Sequence, residues 1–383
     1  MASKSCIHSY AGVSIVETDG ILRPCCKYQA TENTPTIFSI ASLDDLYTTE
    51  YYKTLQSQLD SGVFPVGCDR CKVDEDAGIQ SSRQNTMDSI FDNGNLLVKN
   101  SVQDLEIGLD FTCNMMCRMC NPATSSKWGQ ATTAIKQFDQ HDVPLYMVKS
   151  LKDYKAYQTK IVDIFNNTDL SKAVHLRLEG GEPFYSKNLE WFIDKLDREV
   201  ADKNHFNISI FTNGSIFPAQ HILEKLIKFN VNITFSFDAV EELASTIRWG
   251  VDWDVIESVV KKWKAISDTH SNVKLCTCST VSLLNVNKVT DLIEFCKKFE
   301  IHVNFNHLTI PEYLSIYQVP HDVRSRWLIK RDDFDDLLLA DIHIEPQYTT
   351  FLKSVEILDD YQKKSFALVN PDIYNLIVDL SKH

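Results

Sequence analysis

Residues 104–121, "DLEIGLDFTCNMMCRMCN", join a strand-like run to three closely spaced cysteines. Apolar and polar residues alternate through 104–111, which is typical of a β-strand. Cys113, Cys117 and Cys120 then follow at intervals of four and three residues. Three thiols cannot all pair with one another as disulfides. The spacing therefore predicts a zinc site that lacks one ligand, a redox switch, or the mount of a metal cluster.

Further strand-like runs follow this one, with helical patterns between them. The runs lie at residues 174–181, 206–214, 231–239, 273–285 and 301–308, and amphipathic stretches lie at 188–200 and 285–299. Strands that alternate with helices predict βαβ units and a parallel sheet. Six strands are too few to close an eight-stranded barrel. We therefore expect an α/β fold in the form of a partial (β/α)6 TIM-like barrel.

The predicted strands are polar on one face. In the fifth strand one face carries a set of mostly polar and thiol side chains, namely Lys274, Cys276, Cys278, Thr280 and Ser282. Bulky branched side chains fill the interior of a packed barrel, so a polar inward face predicts a lined cavity instead. Half-exposed antiparallel strands are the alternative, but the intervening helices favour parallel crossovers.

The two ends of the chain lack the regular alternation of strand and helix patterns found in this core. Near the N-terminus a helix is predicted over about residues 42–61, with Ser42 as its N-cap and Asp45 three residues later. The C-terminal part consists of loop and helix patterns. We expect three parts: a small N-terminal domain over 1–100, the core over 101–318, and a helical C-terminal extension over 319–383.

Composition limits the classes of function. The chain has 383 residues and a formal net charge of −13, which disfavours broad nucleic-acid binding. It has no apolar run long enough for a membrane span. Its start, "MASKSCIHSYAGVS", shows no secretory signal. Eleven cysteines without such a signal predict a reducing, cytoplasmic location, where clustered thiols usually bind metal or do redox chemistry.

The cysteine triplet favours an iron–sulfur cluster over zinc. Three thiolates on a [4Fe–4S] cluster leave one iron open to another ligand. A tetrahedral zinc ion would need a fourth ligand, and no neighbouring His or Cys in the sequence supplies one. The pattern Cys113-x3-Cys117-x2-Cys120 resembles the signature of radical SAM enzymes. Further segments similar to that family's motifs follow successive strands, namely Gly180, Gly181, Glu182 and Pro183; Thr212 and Asn213; Ser236 and Asp238; Arg248; and Asn285.

The resemblance implies a role for each segment. In the family, the segment matching 180–183 contacts the amino group of S-adenosylmethionine (SAM), and the position of Asp238 meets the ribose. Arg248 and Asn285 are expected to make polar contacts to the same cofactor. The open iron chelates SAM, and an electron that an external reductant supplies to the cluster yields a 5′-deoxyadenosyl radical. That radical abstracts hydrogen from a substrate C–H, while the protein orients the substrate and excludes water.

Four cysteines near the N-terminus suggest a second site. The pattern Cys6-x13-Gly20-x4-Cys25 resembles the start of SPASM and twitch domains, which carry auxiliary clusters, and Cys68-x2-Cys71 would complete a four-thiolate set. Such domains usually follow the core, whereas this one precedes it. The resemblance implies an auxiliary [4Fe–4S] cluster. A structural zinc ion on the same four ligands and unligated core cysteines are the alternatives.

The sequence thus predicts a radical SAM enzyme that modifies a peptide or protein, a sugar or another small metabolite. Oxidation, with the auxiliary cluster as electron acceptor, is the preferred outcome. Epimerisation is the alternative, with Cys276 or Cys278 as hydrogen donor, although free cysteines often pack simply as small apolar residues. A different class is an iron–sulfur sensor or electron-transfer protein that binds SAM or a partner without turnover. Release of 5′-deoxyadenosine distinguishes the two classes.

Overall fold

The fold alternates strands and helices along the chain. The structure, a computed structural model, describes residues 6–76, 78, 80–86, 97–144 and 154–382. The strands are β1 (Gly12–Ile15), β2 (Asp104–Ile107), β3 (Met116–Cys117), β4 (His175–Leu178), β5 (Asn207–Thr212), β6 (Asn230–Phe235), β7 (Arg248–Trp249), β8 (Val273–Val281) and β9 (His302–His307). The α-helices are α1 (His8–Ala11), α2 (Glu50–Asp60), α3 (Asp69–Asp76), α4 (Ser82–Thr86), α5 (Ser126–Gln130), α6 (Thr132–Gln140), α7 (Tyr154–Asn166), α8 (Leu189–Glu199), α9 (Gln220–Leu226), α10 (Glu241–Ile247), α11 (Trp253–Thr269), α12 (Val289–Lys298), α13 (His321–Arg324), α14 (Asp332–Leu339), α15 (Tyr348–Gln362), α16 (Phe366–Val369) and α17 (Pro371–Leu380). Within the described residues, none of these helices is both long and apolar enough to cross a membrane.

Seven strands form one sheet in the order β1-β2-β4-β5-β6-β8-β9, and β3 pairs with β7 in a separate two-stranded sheet. The first pairs are parallel, with Gly12 opposite Asp104, Asp104 opposite His175, and His175 opposite Asn207. Strands β8 and β9 are parallel as well. This mostly parallel α/β arrangement confirms the predicted fold class, and the antiparallel alternative is wrong for these pairs.

All six predicted strands are present, and a seventh comes from the N-terminal segment. Strand β1 pairs with β2 along its whole length, from Gly12 opposite Asp104 to Ile15 opposite Ile107, and all four of its residues are buried. The sequence "GVSI" is too short to show a clear period, so its place in the sheet was not predictable from pattern. The N-terminal segment therefore contributes a strand beside the first core strand.

The chain forms two compact units. The first consists of Met1–Thr112, Ser150–Phe211 and Pro218–Asn232, and the second of Cys113–Lys149, Thr212–Phe217 and Ile233–His383. The first unit therefore contains β1, β2, β4 and the N-terminal cysteines, and the second contains the cysteine triplet, β8, β9 and helices α10 to α17. The predicted three-part division at residues 100 and 318 stays a prediction.

Each unit has an apolar core on the face of the strands that the helices cover. In the first unit Leu105 and Leu176 are fully buried, while the rings of Phe165 and Phe192 meet edge to face at 5.0 Å. In the second unit Trp253 packs against two rings, those of Phe237 and Phe295, at 5.6 and 4.8 Å. Burial on one face leaves the other face of the strands for polar side chains, as the alternation in the sequence predicted.

The helix predicted over residues 42–61 is split. Ser42 and Asp45 do exchange hydrogen bonds, with the Ser42 N–H donating at 3.0 Å and the Asp45 N–H donating at 3.3 Å. The helical turn that follows is a 3-10 helix, Asp44–Thr48. Thr49 then adopts an extended conformation, and its hydroxyl accepts from the Tyr52 N–H to cap α2. A capping hydroxyl competes with the helical hydrogen bonds, which explains the break.

Candidate functional site

The cysteine triplet lies in one loop of the second unit. Cys117 ends β3, and the Cys120 N–H donates to the Cys117 carbonyl at 3.0 Å, which closes a tight turn between them. Burial raises the pKa of the Cys117 thiol, and the neighbouring Cys120 and Cys113 thiols raise it further. The bare Cys117 thiol therefore keeps its proton, and a bound cationic group would displace it. Three thiols on one loop, with Cys117 close enough to the other two for their charges to affect it, supply the donors of a three-thiolate mount for a [4Fe–4S] cluster.

Polar side chains directly after the triplet hold this loop. The Ser126 hydroxyl accepts from the Cys113 N–H at 3.0 Å, and the Ser125 hydroxyl donates to the Met115 carbonyl at 3.1 Å. The indole N–H of Trp128 donates to the Cys117 carbonyl at 2.8 Å. Sequence reasoning missed these residues. The run "TSS" at residues 124–126 was the available signal, because short hydroxyl side chains often bond to backbone groups of turns.

The end of β5 is hydrogen-bonded to the cysteine loop. The Asn213 amide donates to the Asn114 side-chain oxygen at 3.0 Å, and the Asn114 amide donates to the Ser215 hydroxyl at 2.9 Å. The Thr212 hydroxyl accepts from the Gly214 N–H, and the Thr212 carbonyl accepts from the Ser236 N–H. The predicted Thr212, Asn213 and Ser236 therefore lie in one network with the loop.

Asp238 and Arg248 form a buried ion pair in the same unit. The Arg248 Nε donates to Asp238 Oδ2 at 2.6 Å, and the other carboxylate oxygen accepts from the Thr280 N–H at 2.8 Å. The Asn285 amide donates to the Asp238 carbonyl at 2.8 Å, and its oxygen accepts from the Ser282 N–H. Asn285 is fully buried and braces the loop after β6.

The glycines at 180 and 181 are required by their surroundings. Both have positive φ, at 78° and 63°. A Cβ on Gly181 would lie 2.3 Å from the Thr112 carbonyl oxygen, and one on Gly180 would lie 2.6 Å from the Phe111 ring. The Glu182 N–H donates to that same Thr112 carbonyl at 2.7 Å. Pro183 then begins a 3-10 turn, whose Phe184 N–H bonds to the Glu182 carboxylate.

Helix α15 contacts the cysteine loop through Arg118. This side chain is 1% exposed, and its guanidinium donates to Asp359 at 2.5 Å. It also donates to the Thr246 carbonyl and to the Gln362 oxygen, while the Gln362 amide donates to the Met116 carbonyl. Burial lowers the pKa of Arg118, and the charge of Asp359 opposes that shift. Helix α15 is therefore hydrogen-bonded to β3 and to the residue that follows it.

The two thiols of β8 share one half-buried face of the strand, as predicted. Cys276 lies 3.2 Å from the Thr234 hydroxyl, and Cys278 accepts from the Asn306 amide at 3.0 Å. The alternate residues, such as Thr277 and Ser279, are fully buried on the opposite face. Their role as hydrogen donors stays a prediction.

The four N-terminal cysteines line one cavity of the first unit. Cys68 directly precedes α3 and Cys71 lies in its first turn, a spacing that puts both thiols on one side. Cys6 precedes α1, and Cys25 follows the bridge that Arg23 forms with Ser14. Cys26 is exposed and does not line this cavity.

Electrostatics at this cavity favour neutral thiols until a cation binds. Burial raises the pKa of Cys6 to about 11 and that of Cys68 to about 12. Arg83 lines the same cavity and is fixed by two hydrogen bonds of 2.6 Å to Glu75. In the part of the chain that the structure describes, no three Cys, His, Asp or Glu side chains converge on a single metal ion. The ligand assignments stay predictions.

A polar cavity of about 130 Å³ adjoins the four-cysteine cavity, since His8, Pro24 and Cys25 line both. The polar faces of β2 and β4 form its walls. Asp104 accepts from His175 at 2.7 Å and pairs with His8 at 3.1 Å. Burial alone would raise the pKa of Asp104, but these two imidazoles outweigh it and hold the pKa well below its usual range. The sequence pattern predicted polar strand faces, but it assigned no role to Asp104, His175 or His8.

Glu179 directly follows β4, and its ionisation makes the free energy of unfolding depend on pH. Burial raises its pKa from 4.5 to about 7, the charge of Glu106 adds to the shift, and Arg177 opposes it. The native protein therefore holds more protons than the unfolded chain between about pH 4.5 and 7. The contribution of this group to stability is complete below pH 4.5 and is lost as the pH rises through about 7.

The side chain of Glu179→Gln stays neutral at every pH. We therefore expect the melting temperature of this variant to fall less than that of the wild type when the pH rises from 5 to 8. Thermal unfolding of both proteins at several pH values measures this. Glu345→Gln is the matched control, because the Glu345 side chain is 91% exposed. Parallel curves for Glu179→Gln and the wild type would show that Glu179 titrates normally.

Sequence comparison identifies relatives with a named activity. No known family profile matches the chain. It is 22% identical to GTP 3′,8-cyclase of Campylobacter curvus over 275 residues, which is 70% of this chain and 73% of the relative. It is 26% identical to the Syntrophomonas wolfei enzyme of that name, over 54% of this chain and 55% of the relative. For GTP 3′,8-cyclase 1 of Mycobacterium tuberculosis the identity is 24%, over 63% and 60%.

Solved structures with bound SAM match more weakly. For anSMEcpe with bound AdoMet the TM-score is 0.38 at 15% identity, over 67% of this chain and 66% of that one. For Streptococcus suis SuiB bound to SAM it is 0.39 at 14% identity, over 83% and 69%. The GTP 3′,8-cyclases are radical SAM proteins, and this chain carries the matching cysteine triplet. The chain is therefore similar to radical SAM superfamily enzymes over most of its length, and enzymes of that superfamily use a [4Fe–4S] cluster and S-adenosylmethionine.

Proposed function

We propose that Cys113, Cys117 and Cys120 hold the cluster and that the residues hydrogen-bonded around them bind SAM. The observation that carries this proposal is the network in the second unit, where the ends of β5 and β6 reach the cysteine loop through Asn213 and Arg248. Ligands of parallel α/β folds bind at the carboxyl ends of the strands. When bound, the cluster and SAM supply a 5′-deoxyadenosyl radical that takes hydrogen from a substrate C–H.

The protein residues in this proposal position the cofactor. Asp238 is held at both carboxylate oxygens, and its burial keeps water away from it, so it presents a fixed acceptor for a ribose hydroxyl. Asn285 acts as the brace behind Asp238, because its amide is already used within the protein. Gly180 and Gly181 bring their backbone close to the residues that precede the triplet.

The same proposal gives the N-terminal cysteines an auxiliary [4Fe–4S] cluster on Cys6, Cys25, Cys68 and Cys71. All four thiols line one cavity, and Arg83 supplies a buried positive charge beside them. A cluster there would serve as an acceptor for an electron from the substrate radical. Oxidation of the substrate is therefore the proposed outcome.

Iron content tests the auxiliary site. If these four cysteines ligate a cubane, the protein in which the triplet is replaced with alanine will retain about four irons and four sulfides per chain. Metal analysis after anaerobic purification and reconstitution provides the count. A stoichiometric zinc ion in place of iron would make the N-terminal site structural and remove the proposed electron acceptor.

The polar cavity beside Cys25 is proposed to hold part of the substrate. Ser14, Glu106 and Arg177 supply hydrogen-bond donors and acceptors on its walls. Oxidation of a carbon radical releases a proton as well as an electron. His175, which Asp104 orients by a hydrogen bond at 2.7 Å, is the proposed proton acceptor.

The chemistry of this cavity indicates a polar substrate, such as a peptide, a sugar or a small metabolite. The relatives named GTP 3′,8-cyclase add nucleotides to the candidates for testing. Isotopically labelled candidates from each class, incubated with the reduced enzyme and SAM, would be followed by mass spectrometry. A product two hydrogens lighter, formed only when SAM is present, identifies the substrate class and supports oxidation.

The fate of the substrate radical is tested in deuterium oxide. If oxidation ends the reaction, Cys276→Ala and Cys278→Ala will form the same product as the wild type, without deuterium at the reacting carbon. Mass spectrometry of the product measures both quantities. Deuterium that is incorporated by the wild type and lost in one of the two variants would instead establish a thiol as the hydrogen donor and make the enzyme an epimerase.

A further inference from the structure

We propose that Arg248 sets the reduction potential of the SAM-binding cluster by donating a hydrogen bond to the sulfur of Cys117. The Arg248 Nη1 lies 3.7 Å from Cys117 Sγ. This inference goes beyond the binding of SAM, because it assigns Arg248 an effect on the cluster itself. It rests on the proposed function in that Cys117 must be a cluster ligand.

The small sheet formed by β3 and β7 fixes this contact. Cys117 and Arg248 lie directly opposite each other in its antiparallel register. The Arg118 N–H donates to the Ile247 carbonyl at 2.8 Å, which extends the pairing by one residue. Gly250 lies so close to the loop that a Cβ there would be 2.6 Å from the Asn114 carbonyl oxygen. The segment 247–250 is therefore packed directly onto the cysteine loop.

The guanidinium is also held from its other side. Its Nε donates to Asp238 at 2.6 Å, and Asp238 is fixed in turn by the Thr280 N–H. The Arg248 side chain is 14% exposed and that of Asp238 is 1% exposed, so water screens the pair little. With Nε bound to the carboxylate, the rigid planar fork directs Nη1 at the sulfur.

A positive charge and an N–H···S hydrogen bond both stabilise the more negative, reduced form of a cluster. Hydrogen bonds to the sulfurs and net local charge are among the factors that set cluster potentials. Asp238 offsets part of the guanidinium charge, but the hydrogen bond to Cys117 remains. Arg248 therefore makes reduction of the cluster easier, and acts on the cluster through Cys117.

The test is a redox titration of Arg248→Gln, followed by the EPR signal of the reduced SAM-binding cluster. We expect the equilibrium between oxidised and reduced cluster to shift about tenfold towards the oxidised form, which is about 59 mV to more negative potential for a one-electron couple. Arg326→Gln, which removes the same charge from a side chain of the second unit that is 67% exposed, is the matched control and leaves this potential unchanged.

An unchanged midpoint potential in Arg248→Gln would overturn the proposal while leaving the cluster assignment intact. Failure of the wild type to assemble a cluster on Cys113, Cys117 and Cys120 would overturn the proposed function instead. If Arg248→Gln does not load a cluster, wild-type protein labelled with ¹⁵N only at the guanidinium nitrogens of arginine decides by pulsed EPR, because the backbone nitrogen of Arg118 then stays unlabelled. A nitrogen coupling to the reduced cluster supports the N–H···S contact, and its absence refutes the contact.

Discussion

Protein in which Cys113, Cys117 and Cys120 are all replaced with alanine is expected to release no 5′-deoxyadenosine from SAM, while the N-terminal site keeps its metal. The physical reason is that these three thiolates are the proposed attachments of the cluster that reduces SAM. Without them no electron reaches the cofactor. The two sites draw on different cysteines, so loss of one leaves the ligands of the other intact.

The measurement is anaerobic turnover with dithionite, with 5′-deoxyadenosine quantified by chromatography. Cys296→Ala is the matched control, because Cys296 is buried in α12 beside Thr277 and belongs to neither proposed site. It should keep SAM cleavage. Cleavage that persists in the triple variant would mean that the cluster sits elsewhere in the chain.

Replacement of Asp359 with alanine is expected to destabilise the protein by about 3–5 kcal/mol. The change leaves the guanidinium of Arg118 buried without its carboxylate partner, at a site where only 1% of the side chain meets solvent. It also removes the acceptor for the Phe366 N–H at the start of α16. Because Arg118 lies within the cysteine triplet, cluster loading should fall along with stability.

Urea denaturation of the metal-free protein measures this effect under anaerobic conditions. Asp360→Ala is the control on the same helix, because Asp360 is 68% exposed and pairs with an exposed Lys363 at 3.0 Å. Surface pairs of this kind contribute little to stability, so this variant should unfold near the wild-type midpoint. An Asp359→Ala protein as stable as Asp360→Ala would show that Arg118 does not depend on its partner.

The sheet was predictable because its signals are local. The period-two alternation located six strands, and the helical stretches between them predicted parallel pairing, which the registers confirm. Strand β1 was not predicted because its four residues are too few to show the alternation of apolar and polar side chains that marks a strand. The helix over 42–61 was predicted as one element because the break depends on the backbone conformation of a single residue, Thr49.

The candidate site was predictable in part. Thr212, Asn213, Ser236 and Asp238 follow strands, and strand ends meet at one edge of a parallel sheet, so topology alone places them near one another. The contacts of Arg118 with Asp359 and Gln362 join residues 241 and 244 positions apart. No local pattern encodes a contact of that kind, which arises only when the tertiary structure packs α15 against the loop.

The cavity beside Cys25 also depends on contacts between residues that are distant in the sequence. His8, Asp104 and His175 belong to three separate segments. The parallel register of β2 and β4 places Asp104 opposite His175, and His8 comes from α1, which directly precedes β1. Their hydrogen bonds depend on side-chain burial that periodicity does not specify. Sequence reasoning therefore recognised polar strand faces but did not identify the proposed substrate contacts.

We expect this chain to cleave SAM reductively rather than merely to bind it. Its most direct test is the amount of 5′-deoxyadenosine and methionine that the anaerobically reconstituted wild-type protein releases from SAM with and without a one-electron reductant. We expect equal amounts of both products, formed only when the reductant is present. A protein that carries its cluster and binds SAM but releases neither product would not be a radical SAM enzyme and would instead be a sensor or an electron carrier.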